Sequence, residues 1–117
     1  MKRKYNINTD IQKDIEDFVV VLDKNKIKFE KIILFGSYAK GKHDINSDID
    51  LAVISDDFGK DQIDEMILLS KLSWQASDRI ESVALSHVDL ESKYNPLIGE
   101  IKKYGKEVYS SDTRLNK

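Results

Sequence analysis

The chain has 117 residues and no cysteine, which excludes disulfide bonds and metal sites built from thiolates. It has little net charge, −2 at pH 7, so no bulk attraction draws it to nucleic acid or to an anionic membrane. It also lacks any apolar run close to the roughly 20 residues that a membrane-spanning helix needs. The basic start at residues 1–4 is followed by polar residues, so we expect a cytoplasmic protein without a signal peptide.

The composition that remains is typical of a globular protein with a charged surface, since 40% of the residues are hydrophobic and 34% are charged. A chain of this length fits one domain over residues 1–117 and should bury roughly two-thirds of its unfolded surface. The sequence has no internal repeat, linker or low-complexity segment. We therefore expect one hydrophobic core.

Hydrophobic spacing predicts helices alternating with strands. Helices are expected over residues 9–24, 36–41, 61–76 and 96–104, and strands over 32–35, 48–54, 79–85 and 107–110. Asn95 and Pro96 open the last helix, and Gly105 is expected to end it as a left-handed cap. Met66 and Trp74, on one face of the third helix, are expected in the core. The predicted fold class is α/β (an α+β mixed sheet), with about four strands and helices packed on them.

The most informative motif consists of Gly36-Ser37, which ends one apolar run, and Asp48-Ile49-Asp50, which opens the next. Side chains alternate along a strand, so Asp48 and Asp50 point the same way, with Cα atoms roughly 6.5–7 Å apart. Two carboxylates this close repel each other unless a cation lies between them. Carboxylate oxygens suit Mg²⁺, so the pair predicts a site for a hard divalent metal.

The Gly-Ser turn predicts a phosphate cradle beside that metal site. Gly36 permits backbone angles and a close approach that a Cβ would block. Ser37 is a good helix N-cap, and a helix that starts there would present free backbone N–H groups to a phosphate. A phosphate cradle next to a metal-binding carboxylate pair is typical of phosphoryl or nucleotidyl transfer.

The stretch Ile32–Ile54 resembles the signature of the nucleotidyltransferase superfamily: an apolar strand, Gly-Ser, about ten residues, and Asp-x-Asp among apolar residues. In this short form it is similar to the minimal nucleotidyltransferases of the DNA polymerase beta-like superfamily, which are the small partners of HEPN-domain proteins. The resemblance implies the nucleotidyltransferase fold and a third acidic residue on the third strand.

The order of the elements indicates where that third acid lies. For the cradle to meet the aspartates, the first two strands must be antiparallel neighbours, while a helical crossover makes the second and third strands parallel. The start of the third strand then lies level with the aspartates, which favours Glu81 and, after it, Asp78. Relatives commonly carry Asp at this place, so Glu81 departs from the family in side-chain length.

Four other residues near these motifs invite a functional interpretation. Lys40 matches the basic position usual in this loop of the family and is a candidate nucleotide ligand, although a Lys-rich loop is more often simply solvated. Tyr38 stands where many relatives carry a basic residue, which predicts one triphosphate contact fewer. His43 and His87 are expected to be ordinary surface residues, because no second His stands at ligand spacing.

The resemblance implies an enzyme that transfers a nucleoside monophosphate, most simply AMP from ATP, to a hydroxyl group. Asp48, Asp50 and Glu81 would hold two Mg²⁺ ions, and Glu81 would complete the second metal site or take the acceptor proton. Gly36 and Ser37 would bind the β- and γ-phosphates.

The acceptor is expected to come from a separate protein, because the chain has too few residues for the added domain of antibiotic- or RNA-modifying relatives. By resemblance the partner would be a HEPN-domain toxin, with this chain as its antitoxin in a homo- or hetero-oligomer and nucleic acid not the main partner. Two alternatives stay open: a binding module that acts by occlusion, and a small-molecule transferase completed by a partner chain. The intact Gly-Ser and aspartates argue against a decayed site.

Overall fold

The computed structural model describes residues 9–110, with side chains from residue 11 onward. Its elements are, in chain order, α1 (Thr9–Lys24), β1 (Lys31–Phe35), α2 (Gly36–Lys40), β2 (Ile49–Ile54), α3 (Gln62–Ala76), β3 (Ile80–Leu85), α4 (Pro96–Tyr104) and β4 (Lys106–Ser110). A one-turn 3₁₀ helix, Asp89–Glu91, lies between β3 and α4. Every expected element is present, with its ends within one residue of the prediction. No helix in the described part of the chain is long and apolar enough to cross a membrane.

The four strands form one sheet in the order β3-β2-β1-β4. β1 runs antiparallel to β2 and β4, whereas β2 runs parallel to β3. This mixed sheet confirms the predicted fold class and the predicted strand directions. The register aligns Phe35 with Asp50 and Asp50 with Glu81, so the end of β1 and the starts of β2 and β3 share one edge of the sheet.

Helices cover both faces of the sheet, and β2 is buried between them. Leu51 and Val53 pack in one cluster with the apolar sides of α1 and α3, while Ala52 and Ile54 pack with Ile101 of α4 in another. Successive side chains point to opposite faces, so Asp50, two residues before Ala52, lies on the α4 face. A central strand packed on both faces is a rigid base for a functional carboxylate.

The orientation of α3 contradicts the sequence prediction. Leu69 and Leu72 are buried against the sheet, whereas Met66 and Trp74, which were expected in the core, are 53% and 70% exposed. The helix carries apolar residues around most of its circumference, so hydrophobic spacing alone selects no single inner face. Packing against β3 and α1 decides the orientation and leaves a second apolar stripe outside.

The end of α4 also differs from the prediction. Asn95 caps the helix as expected, with its Oδ1 accepting from the backbone N–H of Leu97 at 2.9 Å, and Pro96 follows at the first helical position. Gly105, however, has an extended backbone with φ of −61° rather than a left-handed one. A glycine is needed there for space, because a Cβ would overlap the carbonyl oxygen of Ile101 and the side chain of Ile33.

Candidate active site

The turn from β1 into α2 is set by Gly36, whose φ is +73°. That conformation costs a residue with a Cβ about 1–2 kcal/mol. There is also no room for a side chain, since a Cβ at Gly36 would overlap Oδ2 of Asp50. Phe35, the preceding residue, is the register partner of Asp50. The missing side chain at Gly36 therefore lets the Asp50 carboxylate lie directly against the backbone of the turn.

Ser37 lies one position further into the helix than expected. α2 begins at Gly36, and its N-cap is Phe35, which makes no side-chain capping hydrogen bond, so the prediction of Ser37 as N-cap is wrong. Gly36 itself makes the turn, and the helix therefore starts one residue earlier. The Ser37 side chain is half-buried in the first turn of α2, beside the glycine that contacts Asp50.

Three carboxylates come together at this edge of the sheet. Asp50 in β2 lies opposite Glu81 in β3, and strand alternation points both side chains to the α4 face. Asp48 lies just before β2, and its carboxyl is hydrogen-bonded to that of Glu81. Asp78 lies in the turn before β3. The structure thus places Asp48, Asp50 and Glu81 side by side.

The surroundings of Asp50 and Glu81 favour the protonated form of each carboxyl. Burial raises the pKa of Asp50 to about 6, with further contributions from the charges of Glu81, Asp48 and Glu100. The hydrogen bond with Asp48, burial and the charge of Asp48 raise the pKa of Glu81 as well. Two carboxyls with raised pKa values and the adjacent carboxylate oxygens of Asp48 fit a hard divalent cation such as Mg²⁺.

Glu100 belongs to the surroundings of the site and was missed in the sequence. It lies in α4, its charge acts on Asp50, and its Oε1 is 3.3 Å from the ammonium of Lys40. Nothing local in the sequence marks it, because it stands 50 residues from Asp50 in an ordinary amphipathic helix. Its position follows from α4 packing on the same sheet face.

Lys40 is directed toward α4. Besides the ion pair with Glu100, its ammonium lies over the ring of Tyr104, 5.2 Å from the ring centroid. Lys40 ends α2, the helix that Gly36 begins, so its ammonium can be shared between Glu100 and an anion at the turn. The predicted nucleotide contact remains a prediction.

A second group of side chains holds the segment after the turn against β3. Tyr38 is buried, and its ring stacks on that of His43 with centroids 4.2 Å apart. The guanidinium of Arg79 donates to the Tyr38 hydroxyl and lies 3.9 Å from the carboxylate of Asp14 in α1. The Tyr38 hydroxyl is thus engaged by Arg79, two residues before Glu81, and His43 is half-buried rather than an ordinary surface residue.

His87 lies far from these carboxylates, where β1 begins and β2 and β3 end. Its Nε2 is 2.8 Å from Oε1 of Glu30 and 3.8 Å from Oδ1 of Asp56. The three side chains bring potential ligand atoms within 4.8 Å of one another. They occupy the sheet edge opposite Gly36, so they are separate from the cluster of Asp48, Asp50 and Glu81.

Among curated proteins, the chain is similar to a candidate protein adenylyltransferase of Methanocaldococcus jannaschii. It is 46% identical to this chain over 46 residues, which are 38% of this chain and 46% of the relative. The match therefore spans less than half of that protein.

Comparison with solved structures gives similar folds. A crystal structure of a toxin-antitoxin with AMP-PNP has a TM-score of 0.58 and 27% identity, over 86% of this chain and 77% of that one. A mutant of the toxin-antitoxin MntA-HpeT has a TM-score of 0.57 and 25% identity over the same shares. A candidate nucleotidyltransferase from Sulfolobus solfataricus has a TM-score of 0.60 over 93% of this chain and 94% of that one, and at 17% identity it shows the shared fold.

The family model of polymerase beta nucleotidyltransferases matches residues 15–114. That range contains the turn at Gly36, Asp48, Asp50 and Glu81, together with all four strands. The match confirms the resemblance that the Gly-Ser and Asp-x-Asp motifs predicted, and with it the interpretation of the chain as an enzyme. The chain belongs to the polymerase beta nucleotidyltransferase family.

Proposed function

We propose that this chain transfers AMP from ATP to a hydroxyl group of a partner protein in a Mg²⁺-dependent reaction in the cytoplasm. The partner is a HEPN-domain toxin, and the chain acts as its antitoxin. Two comparisons support this: one relative is named as a candidate protein adenylyltransferase, and a similar structure is a toxin-antitoxin with AMP-PNP.

The observation that carries the chemistry is the meeting of Asp48, Asp50 and Glu81 with the turn at Gly36. Carboxylates held this close repel one another, which is costly unless a cation neutralises them. When bound there, two Mg²⁺ ions would grip the triphosphate and lower the pKa of the acceptor hydroxyl. The cluster is therefore suited to nucleotidyl transfer.

The residues of the turn would bind the β- and γ-phosphates of ATP, which leave as pyrophosphate. Gly36 makes the tight turn that opens α2, and the half-buried Ser37 offers a hydroxyl and an N–H in the first turn of that helix. Lys40 would add a point charge from the end of the same helix. These contacts would orient the β- and γ-phosphates and favour release of pyrophosphate.

Glu81 would take the proton of the acceptor. The acceptor oxygen forms a bond to the α-phosphorus while the bond between that phosphorus and the bridging oxygen to the β-phosphate breaks. The hydroxyl proton would move to the carboxylate of Glu81, which lies opposite Asp50 at this edge of the sheet. The products are an adenylylated protein and pyrophosphate.

The test is to incubate the chain, Mg²⁺ and the protein encoded by the neighbouring reading frame with ATP labelled at the α- or at the γ-phosphate. Label from the α-position should become covalently attached to the neighbouring protein, whereas label from the γ-position should leave as pyrophosphate. Transfer of the γ-label would show a kinase. A tight complex without any labelling would instead support inhibition by occlusion, and labelling of a small molecule alone would remove the antitoxin role.

A further inference from the structure

The outward side of α3 carries a group of exposed apolar side chains. Ile63, Met66, Ile67 and Trp74 are 53–72% exposed, and their spacing puts them on one side of the helix. We call these four residues the apolar face of α3. Ser70, which is also exposed, lies between Ile67 and Trp74 on this side. Single exposed apolar residues are common, but several of them on one side of a helix indicate a candidate interaction site.

The apolar face of α3 continues into the active site. Met66 and Trp74 line a cleft with a volume of about 450 Å³, and the lining of that cleft also includes Asp50 and Glu81. A molecule that covers the apolar face therefore lies next to the carboxylates. This continuity links the surface to the reaction.

The size and border of the face fit a protein partner. The apolar face extends roughly 16 Å along the helix from Ile63 to Trp74 at 1.5 Å per residue, with Ser70 between its two parts. A nucleobase or another small molecule covers only part of that length. The exposed side chains of Asp64 and Lys71 border it. An apolar centre with a polar rim is the usual anatomy of a protein interface, and anchors three and four residues apart are typical of helix docking.

A second copy of this chain is the less suitable occupant. A two-fold dimer would bury the same surface on both chains. Because Met66 and Trp74 belong both to the apolar face and to the cleft, each chain would then cover the other's Asp50 and Glu81. Such a dimer would leave no access for an acceptor.

We propose that the apolar face of α3 docks the acceptor protein, through an apolar helical surface near the hydroxyl group that is modified. The proposal rests on the proposed function, since it concerns the substrate of the same site. Docking there supplies the orientation of the acceptor, and orientation contributes much of the rate of a group transfer.

The experiment changes the half of the face that lies outside the cleft, with Ile63→Ser and Ile67→Ser in one variant. Val88→Ser with Tyr94→Ser is the matched control, since these two residues are 75% and 93% exposed and line no part of the cleft. The probe is the neighbouring-frame protein used above. Its dissociation constant, the KM and kcat of AMP transfer, and the affinity for ATP are measured for both variants and for the unchanged chain.

The Ile63→Ser, Ile67→Ser variant should raise the dissociation constant and the KM for the partner at least tenfold, while ATP affinity and kcat at saturating partner stay unchanged. The control should match the unchanged chain. Equal partner affinity and KM in all three proteins would overturn the proposal, as would a loss confined to ATP affinity or to self-association of the chain.

The same measurements separate this proposal from the proposed function. If the unchanged chain binds its partner through this face but never labels it, transfer is refuted and the docking surface stands. If all three proteins label the partner equally, the docking surface is refuted and transfer stands.

Discussion

At the scale of single residues, the site depends on the contact between Gly36 and Asp50. The glycine is fixed by its left-handed backbone and by the carboxylate oxygen that occupies the place of a Cβ. The carboxylate in turn is held half-buried beside Glu81 and Asp48, which raises its pKa. A change at either residue should therefore alter both stability and cation binding.

Gly36→Ala should lower the free energy of unfolding more than Gly41→Ala does. Both glycines have φ of +73°, but a Cβ at Gly41 meets no atom within 4 Å, whereas one at Gly36 overlaps Asp50. The shared backbone cost is about 1–2 kcal/mol, and we expect about 1–3 kcal/mol more at Gly36 from the overlap. Urea denaturation of the two variants measures the difference, and equal losses would contradict the contact with Asp50.

Asp50→Asn should stabilise the metal-free protein at neutral pH. A carboxyl whose pKa is raised to about 6 contributes stability that is complete below its unfolded pKa near 4 and is lost as pH rises through about 6. Asparagine carries no charge, so the variant avoids that loss. We expect the free energy of unfolding of the variant, relative to that of the unchanged protein, to be about 1–2 kcal/mol higher at pH 7.5 than at pH 4. This value allows for solvent screening of the half-exposed carboxylate.

Thermal unfolding in a chelator across this pH range measures the effect. Asp57→Asn, at an exposed carboxylate beyond the end of β2, is the control and should show no such trend. Mg²⁺ should stabilise the unchanged protein by binding the folded state and should stabilise Asp50→Asn much less. If Asp50→Asn is no more stable than the unchanged protein at pH 7.5, the pKa of the Asp50 carboxyl is not raised by its surroundings.

At the scale of elements, the pair Lys40–Glu100 joins the end of α2 to α4. The ammonium of Lys40 lies between Glu100 and the ring of Tyr104, and Glu100 also acts on Asp50. The two helices are thus linked to the carboxylates by charge as well as by packing. Binding a triphosphate would place a stronger anion near the same ammonium.

Lys40→Met should weaken ATP binding roughly fivefold, which corresponds to about 1 kcal/mol for a partly exposed charge contact. The free energy of unfolding should change by less than about 1 kcal/mol, since surface ion pairs contribute little. Lys103→Met is the matched control, because that ammonium also lies over Tyr104, at 5.3 Å from the centroid. Calorimetric titration measures the ATP affinity of both variants, and equal affinities would show that Lys40 does not contact the nucleotide.

The elements and their order could be predicted from the sequence, and with them the position of Glu81. Strand pairing needs only the order of elements and the requirement that the two motifs meet, and these conditions place Glu81 opposite Asp50. The outward face of α3 could not be predicted, because Met66 and Leu69 are equally apolar and tertiary packing chooses between them. Glu100 could not be found either, since only the approach of α4 brings it near Asp50.

At the scale of the whole molecule, the two edges of the sheet differ in character. One edge gathers acidic groups with raised pKa values around the turn at Gly36, and the apolar face of α3 leads into it. At the other edge His87 pairs with Glu30 and Asp56. The proposed chemistry and the proposed docking surface therefore lie on the same side of the protein.

The central claim is that the carboxylates beside the Gly-Ser turn perform metal-dependent nucleotidyl transfer. The most direct measurement is the rate of pyrophosphate release in a single turnover with ATP, Mg²⁺ and the neighbouring-frame protein, for Asp50→Asn and for the control Asp57→Asn. We expect Asp50→Asn to reduce the rate at least about a thousandfold, because charge stabilisation in the transition state is lost, and Asp57→Asn to leave it unchanged. A rate for Asp50→Asn within tenfold of the unchanged protein would contradict the claim.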